Sequence, residues 1–349
     1  MARAYRLVII PGDGIGPEVT AATLAVLDAV QDLENITLHL DTHRAGAAHY
    51  SATGRAMDDA TLAACRAADG VLKGPVGDPA VRAPDGIEAG TLGGVLRPGL
   101  DAYANVRPIR LYPGVTSALR DVAEDGIDYV IVRENTEGLY ASRGKGDVTP
   151  EGVTDFMTMS RTGIDRVVRK AFALAATRPN PRVTCVDKAN VLRGFALFRE
   201  IFDGHAVQHP DIAADHLYAD AAAAALVERP GTFDVLVTEN FVGDILSDLG
   251  AATVGGLGMC PSGNIGDTAA YFEPIHGSAL GLAGQNSANP LATILSAAML
   301  LDWLGEASAA NRVRSAVERT LATGAITLNP NGTTPQGTKG AAAAVIAAL

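Results

Sequence analysis

Five short apolar runs, each stopping at a polar or turn-forming residue, constrain this chain more than anything else in it. Leu7-Val8-Ile9-Ile10 gives way to Pro11-Gly12-Asp13-Gly14, residues 70–73 close on Lys73, and 129–133 close on Arg133. Residues 183–186 are followed by Asp187-Lys188, and 235–238 by Glu239-Asn240. Such runs have the length of buried strands and are too short for a signal-peptide core or a membrane span. Between them lie stretches patterned as helices, at 17–30 with Pro17 in the first turn, and at about 161–176, 191–203, 219–228, 243–254 and 291–304. Strands alternating with helices predict an α/β protein. Ligands gather at strand ends in open sheets of that class, so the polar residues closing these runs are the first candidates for a site.

Composition narrows the function classes. The 349 residues suffice for two domains or one large one, and 48% hydrophobic against 19% charged residues excludes a disordered chain. A net charge of −11, from 28 Lys+Arg against 39 Asp+Glu, argues against a general nucleic-acid binder. Cys65, Cys185 and Cys260 are too scattered for a disulfide framework or a zinc site, which fits a reducing compartment. The alanine runs at 221–225 and 341–345 read as tightly packed helices. No segment approaches the ~18 apolar residues of a membrane span, so a cytoplasmic protein is expected. Residues 74–99, rich in Gly and Pro and without periodicity, predict a loop or mobile lid.

Two constellations point to chemistry. Asp244 and Asp248 stand i, i+4 on a predicted helix, so their carboxylates project side by side and repel unless a cation lies between them. A hard divalent metal with oxygen ligands, Mg²⁺ or Mn²⁺, resolves that repulsion. A solvated helix face is the alternative, and the apolar neighbours Val242, Ile245, Leu246 and Leu249 weigh against it. Arg97 and Arg107, which bracket residues 100–106, and Arg133, which ends a predicted buried strand, form the second group, and bidentate binding of substrate carboxylates would give these charges a purpose. Gly12, Gly14 and Gly16 follow the first strand, but Pro17 stands where the third glycine of a dinucleotide fingerprint belongs, so this is not a Rossmann domain.

Taken together, the motifs resemble the metal-dependent β-decarboxylating dehydrogenases: the isocitrate, homoisocitrate, isopropylmalate and tartrate/malate enzymes. The matching segments are Pro11-Gly12-Asp13-Gly14-Ile15-Gly16-Pro17-Glu18, Tyr103-Ala104-Asn105-Val106-Arg107-Pro108 and Arg133-Glu134-Asn135-Thr136-Glu137-Gly138-Leu139-Tyr140. Asp187-Lys188-Ala189-Asn190, Glu239-Asn240-Phe241-Val242-Gly243-Asp244-Ile245-Leu246-Ser247-Asp248 and Glu273-Pro274-Ile275-His276-Gly277-Ser278 continue them in family order. The resemblance implies a two-domain fold with one large mixed sheet shared by both domains. Residues 1–102 and 255–349 would form the cofactor domain, and 103–254 the substrate, metal and dimerisation domain. It implies a homodimer with shared active sites, in which Asp220 of the other subunit joins Asp244 and Asp248 at the metal. Tyr140 and Lys188 match the acid–base pair, with Lys188 and Asn190 reaching across the interface. Arg97, Arg107 and Arg133 match positions that hold the hydroxy-acid carboxylates.

The same resemblance places the cofactor at Ile15, Glu273, His276, Gly277, Ser278, Ala279, Gly281, Leu282 and Asn289. Relatives that use NAD carry an acidic residue where Gly281 stands, and a branch using NADP carries lysine there. Gly281 is neither, so the reading leans to NAD without excluding NADP. At the substrate's C3 group, isopropylmalate enzymes place leucines where this chain has Gly93 and Gly94, whereas Lys73 and Thr91 resemble the isocitrate type. The resulting expectation is oxidative decarboxylation of a malate with an anionic C3 group, isocitrate- or homoisocitrate-like or a phosphonate analogue. Tartrate/D-malate dehydrogenase and 3-isopropylmalate dehydrogenase are the alternatives. A non-catalytic regulatory subunit is the most remote reading, since no metal ligand, lysine or tyrosine of the pattern is missing.

Overall fold

The structure is a computed structural model and describes residues 3–120, 122 and 126–349. In chain order the strands are β1 (Arg3–Ile10), β2 (Ile36–Thr42), β3 (Gly70–Lys73), β4 (Ala104–Arg110), β5 (Asp128–Glu134), β6 (Asp147–Thr149), β7 (Gly152–Thr154), β8 (Arg182–Asp187), β9 (Ala213–Tyr218), β10 (Val235–Thr238), β11 (Pro261–Ile265) and β12 (Ala270–Pro274). The helices are α1 (Gly16–Glu34), α2 (Ala47–Thr53), α3 (Asp59–Ala67), α4 (Gly93–Gly99), α5 (Arg161–Ala175), α6 (Arg193–Gln208), α7 (Ala219–Glu228), α8 (Asn240–Thr253), α9 (Leu291–Trp303), α10 (Ala307–Ala322) and α11 (Gly337–Ala347). All five strands expected from apolar runs are present, and both alanine runs lie in helices, α7 and α11.

Ten strands make one mixed sheet in the order β2-β1-β3-β12-β11-β4-β5-β10-β8-β9. The strands β2, β1, β3 and β12 are mutually parallel, and so are β5, β10, β8 and β9. Between these groups every pairing is antiparallel, β12 with β11, β11 with β4, and β4 with β5. The sheet therefore reverses direction across the three antiparallel pairings at its centre. β6 and β7 form a separate antiparallel hairpin whose Val148 and Val153 are exposed.

Helices cover the sheet as the apolar periodicity requires. α9 is apolar nearly all round and is buried over most of its length against β3, β11 and β12. α5 is strongly two-faced, burying Ile164, Val167, Val168, Ala171 and Phe172 against β5, β8 and β10. Its N-terminus is capped by Ser160, whose side chain accepts from the Gly163 N–H. Pro17 in the first turn of α1 and Asn35 in the left-handed conformation at its end mark that helix's limits. Among the described residues no helix is long and apolar enough to cross a membrane.

One local expectation needs correction. The stretch 74–99 is not entirely loop, because its last seven residues form α4. Two leading glycines and Pro98 give that segment poor helix propensity. Burial of Leu96 against the strand layer supplies what propensity does not.

Candidate active site

Arg133 stands near the end of β5 with only 1% of its surface exposed, and its guanidinium is satisfied from α8. Nε and Nη2 donate to Asn240 Oδ1 at 3.0 and 2.7 Å, and Nη1 pairs with Asp244. α8 can lie this close because residue 243 is glycine, where a Cβ would sit 2.7 Å from Arg133 Cγ. Glu239 caps the same helix by accepting from the Phe241 and Val242 N–H groups. Arg107, on β4, donates through Nη1 to Ser247 Oγ at 2.6 Å and to Asp244 Oδ1 at 3.3 Å, with Asp248 Oδ1 at 3.9 Å. Tyr140 donates its hydroxyl to Asp244 Oδ2 at 2.8 Å. Arg97 reaches in from α4, and its buried Nε has no hydrogen-bond partner.

These contacts set the protonation states. Burial, together with the charges of Arg107 and Arg97, pushes Arg133 down to about 9 despite the Asp244 carboxylate. Burial alone would raise Asp244, but the Arg133 and Arg107 guanidiniums outweigh it and hold the carboxyl below its ordinary range. Asp248 moves the other way, raised by burial and by the charge of Asp244 with only Arg107 and Arg133 opposing. Burial beside Asp244 pushes the Tyr140 phenol up to about 12, so it holds its proton at neutral pH and can donate it. Hard carboxylate oxygens of Asp244 and Asp248 on one helix face, with Asp248 destabilised as an anion, suit a divalent cation.

A buried chain of amides links this cluster across the sheet centre. Asn264, Asn105 and Arg133 stand opposite one another on β11, β4 and β5. Asn264 Oδ1 accepts from Asn105 at 2.8 Å and from Asn135 at 2.9 Å, and its Nδ2 donates to Glu273 Oε1 at 3.0 Å. Asn105 in turn accepts from Arg107 Nε. Glu273 is paired with Lys73 at 2.5 Å. Asn264, Asn135, Asn240 and Ser247 were not singled out from the sequence. Asn135 and Asn240 lie inside quoted motifs and were within reach, whereas Asn264 has no local signal.

Lys188 and Asp220 form their own pair, Nζ to Oδ1 at 2.7 Å, and the lysine holds that carboxyl below its ordinary range. Asn190 beside them is exposed. Among the described residues no hydrogen bond or ion pair joins Lys188 or Asp220 to Tyr140, Asp244 or Asp248, and no group of three metal-ligating side chains assembles within the chain. One chain thus brings together Arg97, Arg107, Arg133, Tyr140, Asp244 and Asp248, and keeps Lys188, Asn190 and Asp220 apart from them.

Next to this centre lies a cavity of about 1120 Å³ whose lining includes Ile15, His276, Gly277, Ala279, Leu282 and Asn289. Segments 114–118, 255–258 and 327–333 contribute most of the remaining wall and were not foreseen. Gly14 makes the junction possible: its φ is +59°, and a Cβ there would lie 2.0 Å from the Ser278 carbonyl oxygen. The Ile15 N–H donates to that same oxygen at 2.8 Å. Ser278 is buried and donates its hydroxyl to the Gly77 carbonyl, so it holds the loop together and does not line the space. Gly281 also lies outside the lining, with nothing within 4 Å of an added Cβ. The described lining has no carboxylate and no Lys or Arg, while His276 Nε2 is buried without a partner. Uncharged walls, part apolar and part hydroxyl or amide, with the orphaned His276 Nε2 fit the flat, neutral adenosine part of a nucleotide.

The two residues expected to contact an anionic C3 group are otherwise engaged. Lys73 is buried, bonded to Glu273 and to the Gly74 carbonyl at 3.0 Å. The Thr91 hydroxyl accepts from Arg143 Nη1 at 2.5 Å. The Lys73 charge is thus neutralised within the protein, and the Thr91 hydroxyl is tied to Arg143 as an acceptor.

Comparison with known proteins follows the same direction. The family model for isocitrate/isopropylmalate dehydrogenase matches residues 6–341. The chain is 45% identical over 329 residues to a 3-isopropylmalate dehydrogenase of Thermobifida fusca, covering 92% of each chain. It is 45% identical over 332 residues to a protein of that name from Streptomyces coelicolor, covering 92% of this chain and 93% of the other. Among solved structures, isocitrate dehydrogenase from Methylococcus capsulatus superposes with a TM-score of 0.88 at 37% identity, covering 99% of both chains. Relatives at 41–45% identity over most of the chain carry the isopropylmalate name. They overturn the expectation of an isocitrate-like substrate with an anionic C3 group. The physical reason is the Lys73–Glu273 pair, which cancels the charge on which that expectation rested.

Proposed function

The chain belongs to the isocitrate/isopropylmalate dehydrogenase family of decarboxylating hydroxy-acid dehydrogenases, and on that premise we propose that it oxidises and decarboxylates 3-isopropylmalate with NAD and Mg²⁺ or Mn²⁺. The observation that carries this reading is the Asp244 carboxylate, shared between Arg107, Arg133 and Tyr140 beside a third inward arginine, Arg97. The names of the curated relatives support an apolar C3 group in place of a charged one.

In this reading Arg97, Arg107 and Arg133 hold the two malate carboxylates by charge, Arg133 from within the protein because its guanidinium is already bonded to Asn240 and Asp244. Asp244 and Asp248 would hold the cation, together with Asp220 of a second copy. A bound divalent ion would supply Lewis acidity at the C2 oxygen, and the nicotinamide would accept the hydride from C2. Lys188 of the second copy takes the C2 hydroxyl proton. Loss of the C3 carboxylate as CO2 leaves an enolate, which Tyr140, protonated at neutral pH, protonates at C3. The separation of Lys188 and Asp220 from the rest of the machinery supports a homodimer with shared sites. We place the cofactor on residues 1–102 and 255–349 and the substrate on 103–254, in a cytoplasmic enzyme. NAD is favoured over NADP because the cavity lining, among the described residues, offers no cation to a 2′-phosphate.

The test is NADH formation with 3-isopropylmalate, isocitrate, tartrate and D-malate, each with Mg²⁺ and then with excess chelator. Metal-dependent turnover of 3-isopropylmalate, and little of isocitrate, is expected. Full activity in chelator, or a preference for isocitrate, overturns the proposal.

A further inference from the structure

The buried amides at the sheet centre all point one way, and both ends of the run face the same space. Arg107 Nε can only donate, so Asn105 turns its Oδ1 toward it and its Nδ2 away. That Nδ2 donates to Asn264 Oδ1 at 2.8 Å, which leaves Asn264 Nδ2 to donate to Glu273 Oε1 at 3.0 Å. Asn135 Nδ2 donates to the same Asn264 oxygen at 2.9 Å and fixes the amide from a second side. Turning over either Asn105 or Asn264 would set oxygen against oxygen and N–H against N–H. A guanidinium at one end and a carboxylate at the other therefore dictate the direction of every amide between them. Asn105 and Asn264 have no exposed surface, so water cannot stand in for a lost partner. The two ends, Arg107 and Glu273, both line the pocket of about 200 Å³ that also includes His276.

We propose that Asn264 is a positioning residue: it orients Glu273 toward the cofactor and, through Asn105, Arg107 toward the substrate. This rests on the reaction proposed above, in which Arg107 meets the malate and Glu273 the nucleotide. One polarised run of hydrogen bonds then sets both subsites. The residue type follows from the run, because position 264 must accept from two amides and donate to a carboxylate. Leucine there would leave Glu273 Oε1 and the amides of Asn105 and Asn135 each short of a partner. Aspartate keeps every bond while protonated, since one oxygen accepts from both amides and the O–H donates to Glu273. Ionised, it sets two carboxylates against each other.

The charged and titratable groups around Glu273 are Lys73 of β3, Arg97 of α4, Arg107 of β4, Arg133 of β5, and Tyr271 and His276 at β12. Burial and the Glu273 charge raise the pKa of an introduced carboxyl, the cations lower it, and the pair ionises in two steps. The run is intact below the upper step and is lost as the pH rises through it. The experiment measures kcat/KM for 3-isopropylmalate and NADH affinity by fluorescence, for wild type, Asn264→Leu and Asn264→Asp, from about pH 5.5 to 9. Asn264→Leu should lose roughly tenfold or more in both at every pH. Relative to wild type, Asn264→Asp should lie within about threefold at the acid end and fall by roughly tenfold or more toward the alkaline end. Taking the ratio to wild type removes the titration of the groups that carry out the reaction. An Asn264→Asp ratio that stays constant with pH overturns the inference, as does an Asn264→Leu protein with wild-type values. So does an Asn264→Asp protein that fails to fold at the acid end, where it retains every hydrogen bond of asparagine. No turnover by the wild type overturns the proposed reaction, and the NADH titrations then decide the inference.

Discussion

The arginine–carboxylate centre and the large cavity meet at His276, which lines both the cavity and a smaller pocket shared with Lys73, Arg97, Arg107 and Glu273. They are built in opposite ways. In the centre, buried ionic groups are cross-linked through Asp244 and continued by amides to Glu273 and Lys73. The cavity is bounded by backbone, glycine and small neutral side chains from well-separated segments. Buried charge is tolerated only when paired, so the first region fixes its geometry before any ligand arrives. The second binds by shape, and shape tolerates substitution. In the proposed homodimer Lys188 and Asp220 of the second copy would complete the centre, whereas the described cavity lining comes from segments of this chain.

The largest expected effect tests that last contrast. Lys188→Ala and Asp244→Asn should each be nearly inactive as homodimers. Heterodimers of the two should recover roughly half the wild-type rate, because one of two shared sites is then intact. No recovery in verified heterodimers would place Lys188 and Asp244 in the same cleft and dissolve the comparison.

Next in size is stability. Arg133→Ala removes the innermost cation and leaves Asn240 and Asp244 short of a partner, which should cost about 3 kcal/mol in urea unfolding. Thr327→Ala, in the exposed cavity wall, should stay within about 0.5 kcal/mol. Equal losses would mean that the two regions are not differently constructed.

The smallest effect concerns the cavity's neutrality. Gly281→Asp should weaken NADPH relative to NADH by about tenfold, or 1.4 kcal/mol, through repulsion of the 2′-phosphate. Fluorescence titration with each reduced nucleotide measures this directly. An unchanged ratio would show that position 281 lies away from the bound ribose.

What was legible in the sequence follows from this division. Asp244, Asp248, Arg107 and Arg133 could be singled out because a charge at the end of an apolar run, or two like charges one turn apart, is locally anomalous. Lys73 was found by the same logic and misread. Its position on β3 is local information, but its partner Glu273 lies on β12, two hundred residues further along the chain. Asn264 was missed because an asparagine in Ser262-Gly263-Asn264-Ile265-Gly266 reads as a turn residue until β11 is seen between β4 and β12.

By itself, then, the sequence determined the short buried strands, the helices between them and the ionic residues at their ends, since each depends on periodicity and polarity over a few neighbouring positions. Tertiary structure alone decided which charges are already paired, where the cavity lies and which of the expected site residues stand together. The physical reason is that a side chain's chemistry depends on its neighbours in space. In a sheet that reverses direction at its centre, those neighbours come from strands far apart in the chain.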